Sequence, residues 1–135
     1  AQFPDRIGVH IGYDIALSHR IEAGADAFIM PSRYEPCGLN QLYSMAYGTV
    51  PIVHRTGGLG DTVTHASPDA IRGAQATGII FDHADVQGLR WALFEAMRLF
   101  REAPETWAAM QQTGMRKDHS WAASARRYRA LYEAS

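Results

Sequence analysis

The fold is decided by one stretch, residues 27–53, which reads AFIMPSRYEPCGLNQLYSMAYGTVPIV. Its first four residues, Ala27–Met30, form an uninterrupted apolar run, which is typical of a parallel strand buried on both faces. The pattern then predicts a helix over about 39–47 and a second strand over 50–53, although a proline inside a strand is unusual. A strand, a helix and a strand in this order indicate a βαβ unit and a parallel sheet.

The same alternation continues on both sides of this stretch. Before it, residues 7–11 alternate like a strand, and Asp14 is placed to cap a helix over 15–23. After it, the glycine-rich residues 55–61 predict a loop, and the small polar residues 64–76 predict an exposed excursion.

The last part of the chain is predicted to form a short strand over 78–81 and then three helices. The first helix covers about 86–101, the second begins near Pro104, and Ser120 is placed to cap the third. Each helix carries apolar residues at helical spacing: Leu89, Leu93, Met97 and Phe100 in the first, Trp107 and Met110 in the second, and Trp121, Ala125, Tyr128 and Leu131 in the third.

These elements predict an α/β fold, a Rossmann-like parallel sheet with flanking helices. Right-handed crossovers place the loops that follow Ile11, Met30 and Val53 along one edge of the sheet. Open α/β sheets bind their ligands at that edge, so functional residues are expected in these loops.

The composition excludes several classes of function. A formal net charge of −1 gives no reason to expect nucleic acid or an acidic membrane as a partner. No apolar run is long enough to cross a bilayer. The six histidines lack the spacing of metal ligands, so we predict no metal and no cofactor. The single cysteine, Cys37, cannot form an internal disulfide, which suits a reducing compartment.

The loop after Met30 carries the strongest chemical signal. Gly38 stands just before a predicted helix, so the backbone N–H groups of Gly38, Leu39 and Asn40 are left free at the positive end of the helix dipole, where phosphate binds. Glu35 would repel phosphate, but it suits sugar hydroxyls beside one. The alternative for this pattern is an ordinary helix start with a capping carboxylate. A catalytic role for Cys37 needs a base that the fold brings near it, for which His10, His19 and His54 are the candidates, and we do not expect a catalytic cysteine.

Two further features carry weaker signals. In the loop after Val53, Thr56 offers a hydroxyl and Gly57 lets the backbone approach a ligand closely, although paired glycines after a strand are often only a turn. Tyr13 has an aromatic face that could stack on a base, and the alternative is a partly buried tyrosine. The spacing of the glycines does not match the dinucleotide-binding fingerprint.

Six motifs occur in a fixed order along the chain. They are Ile11-Gly12-Tyr13, SHRI at 18–21, GAD at 24–26, PSRYEPCGLNQLY at 31–43, YGTVP at 47–51 and RTGGLGDTV at 55–63. Together they resemble the C-terminal half of bacterial glycogen synthases and plant starch synthases, over about 7–132. Among nucleotide-sugar transferases, Glu-Pro-Cys-Gly-Leu followed by Gln-Leu-Tyr is highly specific to that family.

The resemblance implies the GT-B fold, in which two Rossmann-like domains enclose the active site in the cleft between them. Residues 1–135 would be a single, partial C-terminal domain that binds the nucleotide sugar. The implied reaction transfers glucose from ADP-glucose to the non-reducing end of an α-1,4-glucan, with retention of configuration. The implied partners are ADP-glucose, a glycogen or starch acceptor, and the N-terminal domain of the same chain. The implied location is a bacterial cytoplasm or a plastid.

The resemblance also implies roles for individual residues. Tyr13 matches the tyrosine that stacks on adenine, and Glu35, the one candidate catalytic residue, matches the carboxylate that binds the donor glucose hydroxyls. The other implied donor-binding residues form three groups. Cys37, Gly38, Leu39 and Asn40 line the glucose and phosphates, largely through backbone amides. Tyr43 replaces the second glutamate of many related transferases, and Thr56 and Gly57 lie near the phosphates.

In that family the arginine and lysine that neutralise the donor pyrophosphate lie upstream of the position of Ile7, and a lysine-glycine-glycine motif lies in the N-terminal domain. We therefore expect this chain alone to catalyse nothing measurable. Two alternatives stay open: a non-catalytic module that binds a nucleotide sugar or a glucan, and another GT-B glucosyltransferase that uses UDP-glucose.

Overall fold

A computed structural model describes residues 3–134 of the chain. The described residues form helices and strands in the order α1 (Ile15–Gly24), β1 (Ala27–Met30), α2 (Asn40–Tyr47), β2 (Val50–His54), α3 (Gly57–Thr62), α4 (Pro68–Arg72), β3 (Ile79–Phe81), α5 (Val86–Glu102), α6 (Pro104–Met115) and α7 (Trp121–Glu133). The predicted α/β fold with a parallel sheet and flanking helices is confirmed.

The three strands form one parallel sheet in the order β1-β2-β3. The central strand β2 tolerates Pro51 because its pairing with β3 begins only after the proline. The N–H of Val50 faces β1, since it donates to the Asp26 carbonyl at 3.1 Å. An N–H at position 51 would therefore face β3, where strand pairing begins only at Ile52, opposite Ile79. Pro51 thus removes no hydrogen bond from the ladder between β2 and β3.

Side chains of β2 alternate between two apolar clusters, one on each face of the sheet. Val50 and Ile52 belong to the larger cluster, and Val53 belongs to the smaller one. The larger cluster is completed by buried residues of β3, α5, α6 and the segments beside α4, namely Ala66, Ala76, Ile79, Phe81, Ala92, Ala96, Leu99, Trp107 and Met110. The smaller one contains Leu59, Val63 and Ile80. A sheet covered on both faces gives the continuous apolar strands that the sequence shows.

The predicted helices around the central βαβ unit are confirmed with small shifts at their ends. In α1, the Asp14 side chain accepts a hydrogen bond from the Leu17 N–H at 2.9 Å, which is the predicted cap. The helix α2 stops at Gly48, whose φ of 81° is the left-handed conformation that ends many helices.

The strand predicted over 7–11 is wrong. The segment has no regular secondary structure, and the side chains of Ile7, Val9 and Ile11 are 53%, 78% and 94% exposed. Alternating apolar residues form a strand only beside another strand, and in the described part of the chain β1 pairs with β2 alone. The loop after Ile11 is therefore not a strand-end loop at the predicted edge.

The loop predicted over 55–61 is also wrong in part, because Gly57–Thr62 forms the short helix α3. Three glycines disfavour a helix by about 1 kcal/mol each relative to alanine. The complete burial of Leu59 under β2 and β3 offsets this cost. Tertiary packing decides the conformation here, and the local pattern does not contain it.

The exposed excursion predicted over 64–76 holds more structure than expected. It contains α4, which Ser67 caps by accepting a hydrogen bond from the Ala70 N–H at 3.2 Å. Ala66 and Ala76, which flank the helix, are buried in the larger cluster. The Ser-Pro-Asp sequence at 67–69 is a helix-start signal, so this element could have been predicted.

The three C-terminal helices form as predicted, but their predicted apolar faces are buried only in part. In α5 the buried residues are Ala92, Ala96 and Leu99, while Met97 and Phe100 of the predicted face are about half exposed. Leu89 and Leu93 of the predicted face are partly buried and pack against the larger cluster. The predicted Trp107 and Met110 are buried in α6. The helix α7 begins after Ser120 as predicted, and none of its described residues is buried.

Candidate functional site

The candidate site lies where β1 and β2 end. Because these strands are parallel, the loop after Met30 and the segment after His54 begin at the same edge of the sheet. The His54 ring is held under the first loop by a hydrogen bond between its Nδ1 and the Ser32 carbonyl, at 2.8 Å. Two of the three predicted loops are therefore brought together. We call the segment 35–38 the donor loop, after the donor-binding residues that the resemblance predicts there.

The donor loop lies directly on the first turn of α3. The Gly58 N–H donates to the Pro36 carbonyl at 3.3 Å. A Cβ at Gly57 would overlap the Glu35 carbonyl oxygen, and a Cβ at Gly58 would overlap that of Cys37. Gly57 also has a φ of 42°, which favours glycine. The two glycines were expected to approach a ligand, but what they visibly approach is the backbone of the donor loop.

The N-terminus of α2 is open. Leu39 precedes the helix without a side-chain cap, and Gly38 has a φ of 69°. Among residues 3–134, none accepts a hydrogen bond from the N–H of Gly38, Leu39 or Asn40. Three unpartnered N–H groups at the positive end of a helix dipole can bind an anion such as phosphate.

The predicted side chains surround this helix start at different depths. Glu35 is partly buried, whereas Cys37 and Asn40 are exposed and Cys37 is a free thiol. Leu39 and Tyr43 are 53% and 41% exposed, so both present apolar surface to solvent. Thr56 precedes α3 without capping it through its side chain, which leaves the hydroxyl available.

Tyr13 stands apart from the donor loop. It immediately precedes the cap of α1, and its side chain is 93% exposed. In the part of the chain that the structure describes, it makes no hydrogen bond and no aromatic contact. The buried alternative for this tyrosine is excluded, and its ring is free to stack on a ligand.

Sequence reasoning missed Gln41, which is completely buried beneath the donor loop. Its Nε2 donates to the carbonyls of Cys37 and Gly38, at 3.1 and 3.0 Å, and to Thr62 Oγ1 at 3.1 Å. The Thr62 hydroxyl in turn donates to the Gly58 carbonyl at 2.5 Å. A glutamine three residues after a glycine at a helix start was the available signal, since its amide group can reach back to the backbone before the helix.

A second feature that the sequence did not reveal links α1 to α2. The His19 ring makes edge contacts with the rings of Tyr43 and Tyr47, at centroid distances of 5.6 and 6.0 Å. One helical turn further, the Glu22 carboxylate is completely buried and lies 3.8 Å from His19 Nδ1. Burial raises the pKa of Glu22, and the nearby His19 opposes that shift.

Charged residues also follow β2 and β3 at this edge. Arg55 forms an ion pair with Asp82, which comes directly after β3, and this hydrogen bond lowers the pKa of the Asp82 carboxyl. Burial and the neighbouring Arg55 lower the pKa of His65. Within residues 3–134, no cluster of three or more His, Cys, Asp or Glu could hold a metal ion, and no helix is long and apolar enough to span a membrane.

Comparison with known proteins places the chain in a family. The family model described as "Glycosyl transferases group 1" matches residues 10–112, which include both loops and α2. The chain belongs to the group 1 glycosyl transferases. Relatives of this group 1 transferase chain are named glycogen synthase and starch synthase. They confirm the resemblance that the sequence motifs predict.

Two curated relatives illustrate the similarity. Glycogen synthase 1 of Methylococcus capsulatus is 57% identical over 129 residues, which cover 96% of this chain and 26% of the relative. Starch synthase 1, chloroplastic/amyloplastic, of Triticum aestivum is 46% identical over 133 residues, which cover 98% of this chain and 21% of the relative. The chain thus spans about a quarter of the length of the curated relatives it matches.

Two solved structures show the same fold. The catalytic domain of starch synthase IV from Arabidopsis thaliana, bound to ADP and acarbose, matches with a TM-score of 0.87 and 40% identity, covering 98% of this chain and 27% of that one. A sucrose-phosphate synthase from Thermosynechococcus elongatus matches with a TM-score of 0.68 and 26% identity, covering 99% and 32%.

Proposed function

We propose that this chain is the nucleotide-sugar-binding part of a retaining glucosyltransferase of the glycogen and starch synthase type. The observation that carries the proposal is the group of three unpartnered N–H groups, of Gly38, Leu39 and Asn40, at the start of α2. The partly buried carboxylate of Glu35 belongs to the same loop. An anion site beside a carboxylate suits a ligand with a diphosphate next to a sugar.

In this proposal the donor diphosphate lies against the start of α2. The N–H groups of the donor loop and the helix dipole stabilise the negative charge that grows on the leaving nucleoside diphosphate as the glycosidic bond breaks. Cys37 lines the same surface through its backbone, and the Thr56 hydroxyl and the Gly57 backbone extend it on the side of α3. These contacts bind the donor in the ground state and strengthen as the negative charge grows in the transition state, so they contribute to binding and to rate.

Glu35 would bind the hydroxyls of the transferred glucose, because a carboxylate accepts hydrogen bonds from hydroxyls but repels phosphate. We propose that it orients the sugar and supports the positive charge that develops on it. The acceptor hydroxyl attacks the face from which the nucleotide leaves, and the departing phosphate takes the proton of that hydroxyl. The new bond then has the same configuration as the broken one.

The nucleoside would lie between α1 and α2. The exposed ring of Tyr13 offers a face for adenine, and such stacking is worth about 1–3 kcal/mol per base. The Tyr43 ring, held by its edge contact with His19, lies near the ribose in this arrangement. The starch synthase IV structure to which the chain is similar contains ADP, which supports an adenine nucleotide as the donor.

The proposal covers the whole protein as well. Residues 1–135 act as part of a C-terminal donor domain, ADP-glucose is the donor, and an α-1,4-glucan of the glycogen or starch type is the acceptor. The location is a bacterial cytoplasm or a plastid. The first rival is a non-catalytic module that binds a nucleotide sugar or a glucan, and the second is a glucosyltransferase that uses UDP-glucose.

Calorimetry and a transfer assay on the full-length protein test the proposal. We expect ADP to bind, and ADP-glucose to donate glucose to glycogen in preference to UDP-glucose. In Glu35→Gln, transfer should be lost while the Kd for ADP stays unchanged, because Glu35 contacts only the sugar. A protein that binds ADP-glucose but transfers nothing would favour the module, and a preference for UDP-glucose would favour the second rival. The 135-residue chain alone should give no turnover.

A further inference from the structure

The buried side chain of Gln41 is connected to both halves of the candidate site. Its Nε2 lies within hydrogen-bond distance of three acceptors: two successive carbonyls of the donor loop, those of Cys37 and Gly38, and the hydroxyl of Thr62 on α3. Because an amide nitrogen carries two hydrogens, two of these acceptors share one N–H. These contacts fix which end of the amide is which, because its oxygen could not accept a hydrogen bond from a carbonyl. The side chain is completely buried, so no water competes for these bonds.

The position of the two carbonyls decides where the neighbouring N–H groups point. In a trans peptide the C=O and the N–H of the same unit point in opposite directions, and the described chain contains no cis peptide bond. The Cys37 carbonyl shares its peptide unit with the Gly38 N–H, and the Gly38 carbonyl shares its unit with the Leu39 N–H. With both carbonyls turned in toward Gln41, both N–H groups are turned out toward the open start of α2.

The contact with Thr62 ties this arrangement to the second loop. Thr62 Oγ1 accepts from Gln41 and donates to the Gly58 carbonyl, so its hydroxyl links α2 to α3 through two hydrogen bonds. The Gly58 N–H in turn donates a hydrogen bond to the Pro36 carbonyl, so the chain of hydrogen bonds returns from α3 to the donor loop. Neither peptide unit can rotate without breaking a bond to Gln41.

The amide oxygen of Gln41 shows that this arrangement lowers the stability of the fold. It is buried without a hydrogen-bond partner among the described residues, and such a group disfavours folding. It lies so close to Gly38 that a Cβ there would be 2.6 Å away. An apolar side chain would avoid the orphan oxygen but would leave both carbonyls and Thr62 without their donor. The position is therefore better suited to orienting the donor loop than to filling the core.

We infer that Gln41 is a positioning residue for donor binding: through Nε2 and the Thr62 hydroxyl it holds the peptide units 37–38 and 38–39 so that their N–H groups face the diphosphate. This inference rests on the proposed function, because it needs a diphosphate at the start of α2. Gln41 itself is buried and touches no substrate.

The test compares ligands with and without a diphosphate, in the full-length protein. Gln41→Met keeps the length of the side chain and removes its donor. We expect the Kd for ADP to rise roughly tenfold, because a tenfold change in Kd corresponds to the free energy of about one hydrogen bond. The Kd for adenosine, which lacks phosphates, should not change. The amide signals of Gly38 and Leu39 should shift with ADP in the unchanged protein and much less in Gln41→Met.

Thr62 supplies the matched pair if Gln41→Met does not fold. Thr62→Val removes the hydroxyl with little change in shape and should weaken ADP several-fold, whereas Thr62→Ser keeps the hydroxyl and should bind ADP normally. Unchanged ADP binding in Gln41→Met and Thr62→Val would overturn the inference, as would an equal loss for ADP and adenosine, which means a general loss of structure. If the unchanged protein binds no ADP, the proposed function fails first and the inference falls with it.

Discussion

Gly58 decides whether the two loops of the site can touch. A Cβ at this position would overlap the Cys37 carbonyl oxygen, a backbone atom that cannot move alone. We expect Gly58→Ala to lower the free energy of unfolding by about 1–3 kcal/mol, as overpacking typically does. Urea denaturation measures this change.

The matched control is Gly60, which lies in the same helix. A Cβ there would come closest to the flexible Arg55 side chain, at 3.3 Å, and would meet the Arg55 backbone at the ordinary contact distance of 3.9 Å. Gly60→Ala should be neutral or should stabilise by up to about 1 kcal/mol, because alanine favours a helix over glycine. Equal effects of the two substitutions would contradict the close contact between the loops.

Glu22 should make stability depend on pH. Burial raises its pKa above the ordinary value of 4.5, so the folded state favours the protonated carboxyl. The stability that it contributes is complete below pH 4.5 and is lost as the pH rises through the raised pKa. Glu22→Gln, which cannot ionise, should therefore gain stability over the unchanged protein as the pH rises from about 4.5 to 8.

Urea denaturation at several pH values measures that difference. The same exchange at the exposed Glu102 should change stability by less than about 0.5 kcal/mol at neutral pH. A Glu22→Gln variant whose advantage does not grow with pH would show that the carboxylate finds a partner in solution.

At this scale the sequence predicts which residue types stand at the site, but not the bonds between them. Glu35 and Gly38 follow from a carboxylate and a glycine placed before a helix. The spacing of Gln41 after Gly38 signals a contact with the start of the helix, but its bond to Thr62, which is 21 residues away along the chain, could not be predicted. A contact of that range is created by the fold, and no local pattern contains it.

The helices α6 and α7 contribute differently to the stability of the fold, and the burial of their tryptophans indicates this difference. Trp107 of α6 is 4% exposed in the larger apolar cluster, whereas Trp121 of α7 is 88% exposed. We expect Trp107→Ala to cost about 3–5 kcal/mol of unfolding free energy and Trp121→Ala less than about 0.5 kcal/mol. Urea denaturation followed by circular dichroism compares them without relying on tryptophan fluorescence. Similar losses would mean that α7 packs on the domain in solution.

Elements with their own start and stop signals could be predicted from the sequence. Asp14, Gly48 and Ser120 mark helix ends, and the structure has helix ends at all three. The errors arise where a distant partner decides. Residues 7–11 have a strand pattern but no neighbouring strand among the described residues, and α3 has three glycines but a buried Leu59. The periodicity of apolar residues indicates which side chains could be buried, but it does not indicate which element they pack against.

At the scale of the whole molecule, the most exposed large apolar side chains of the described residues lie mainly in two places. One is the segment 7–13, in which Ile11 and Tyr13 are more than nine-tenths exposed. The other is α7, in which Trp121 and Tyr132 are at least four-fifths exposed. In the described sheet, β1 and β3 also each have one unpaired edge. Contiguous apolar surface and open strand edges favour association, and a net charge of −1 opposes it only weakly.

The 135-residue chain on its own should therefore associate with itself as its concentration rises. Sedimentation velocity over a range of concentrations measures this, and we expect the weight-average sedimentation coefficient to increase. Val9→Ser combined with Ile11→Ser removes apolar surface at one place, and Trp121→Ser combined with Tyr132→Ser removes it at the other. Because all four side chains are exposed, neither pair should lower stability much, and the pair that restores the monomer identifies the surface responsible. A constant, monomeric coefficient in the unchanged chain would show that neither surface is large enough to drive association.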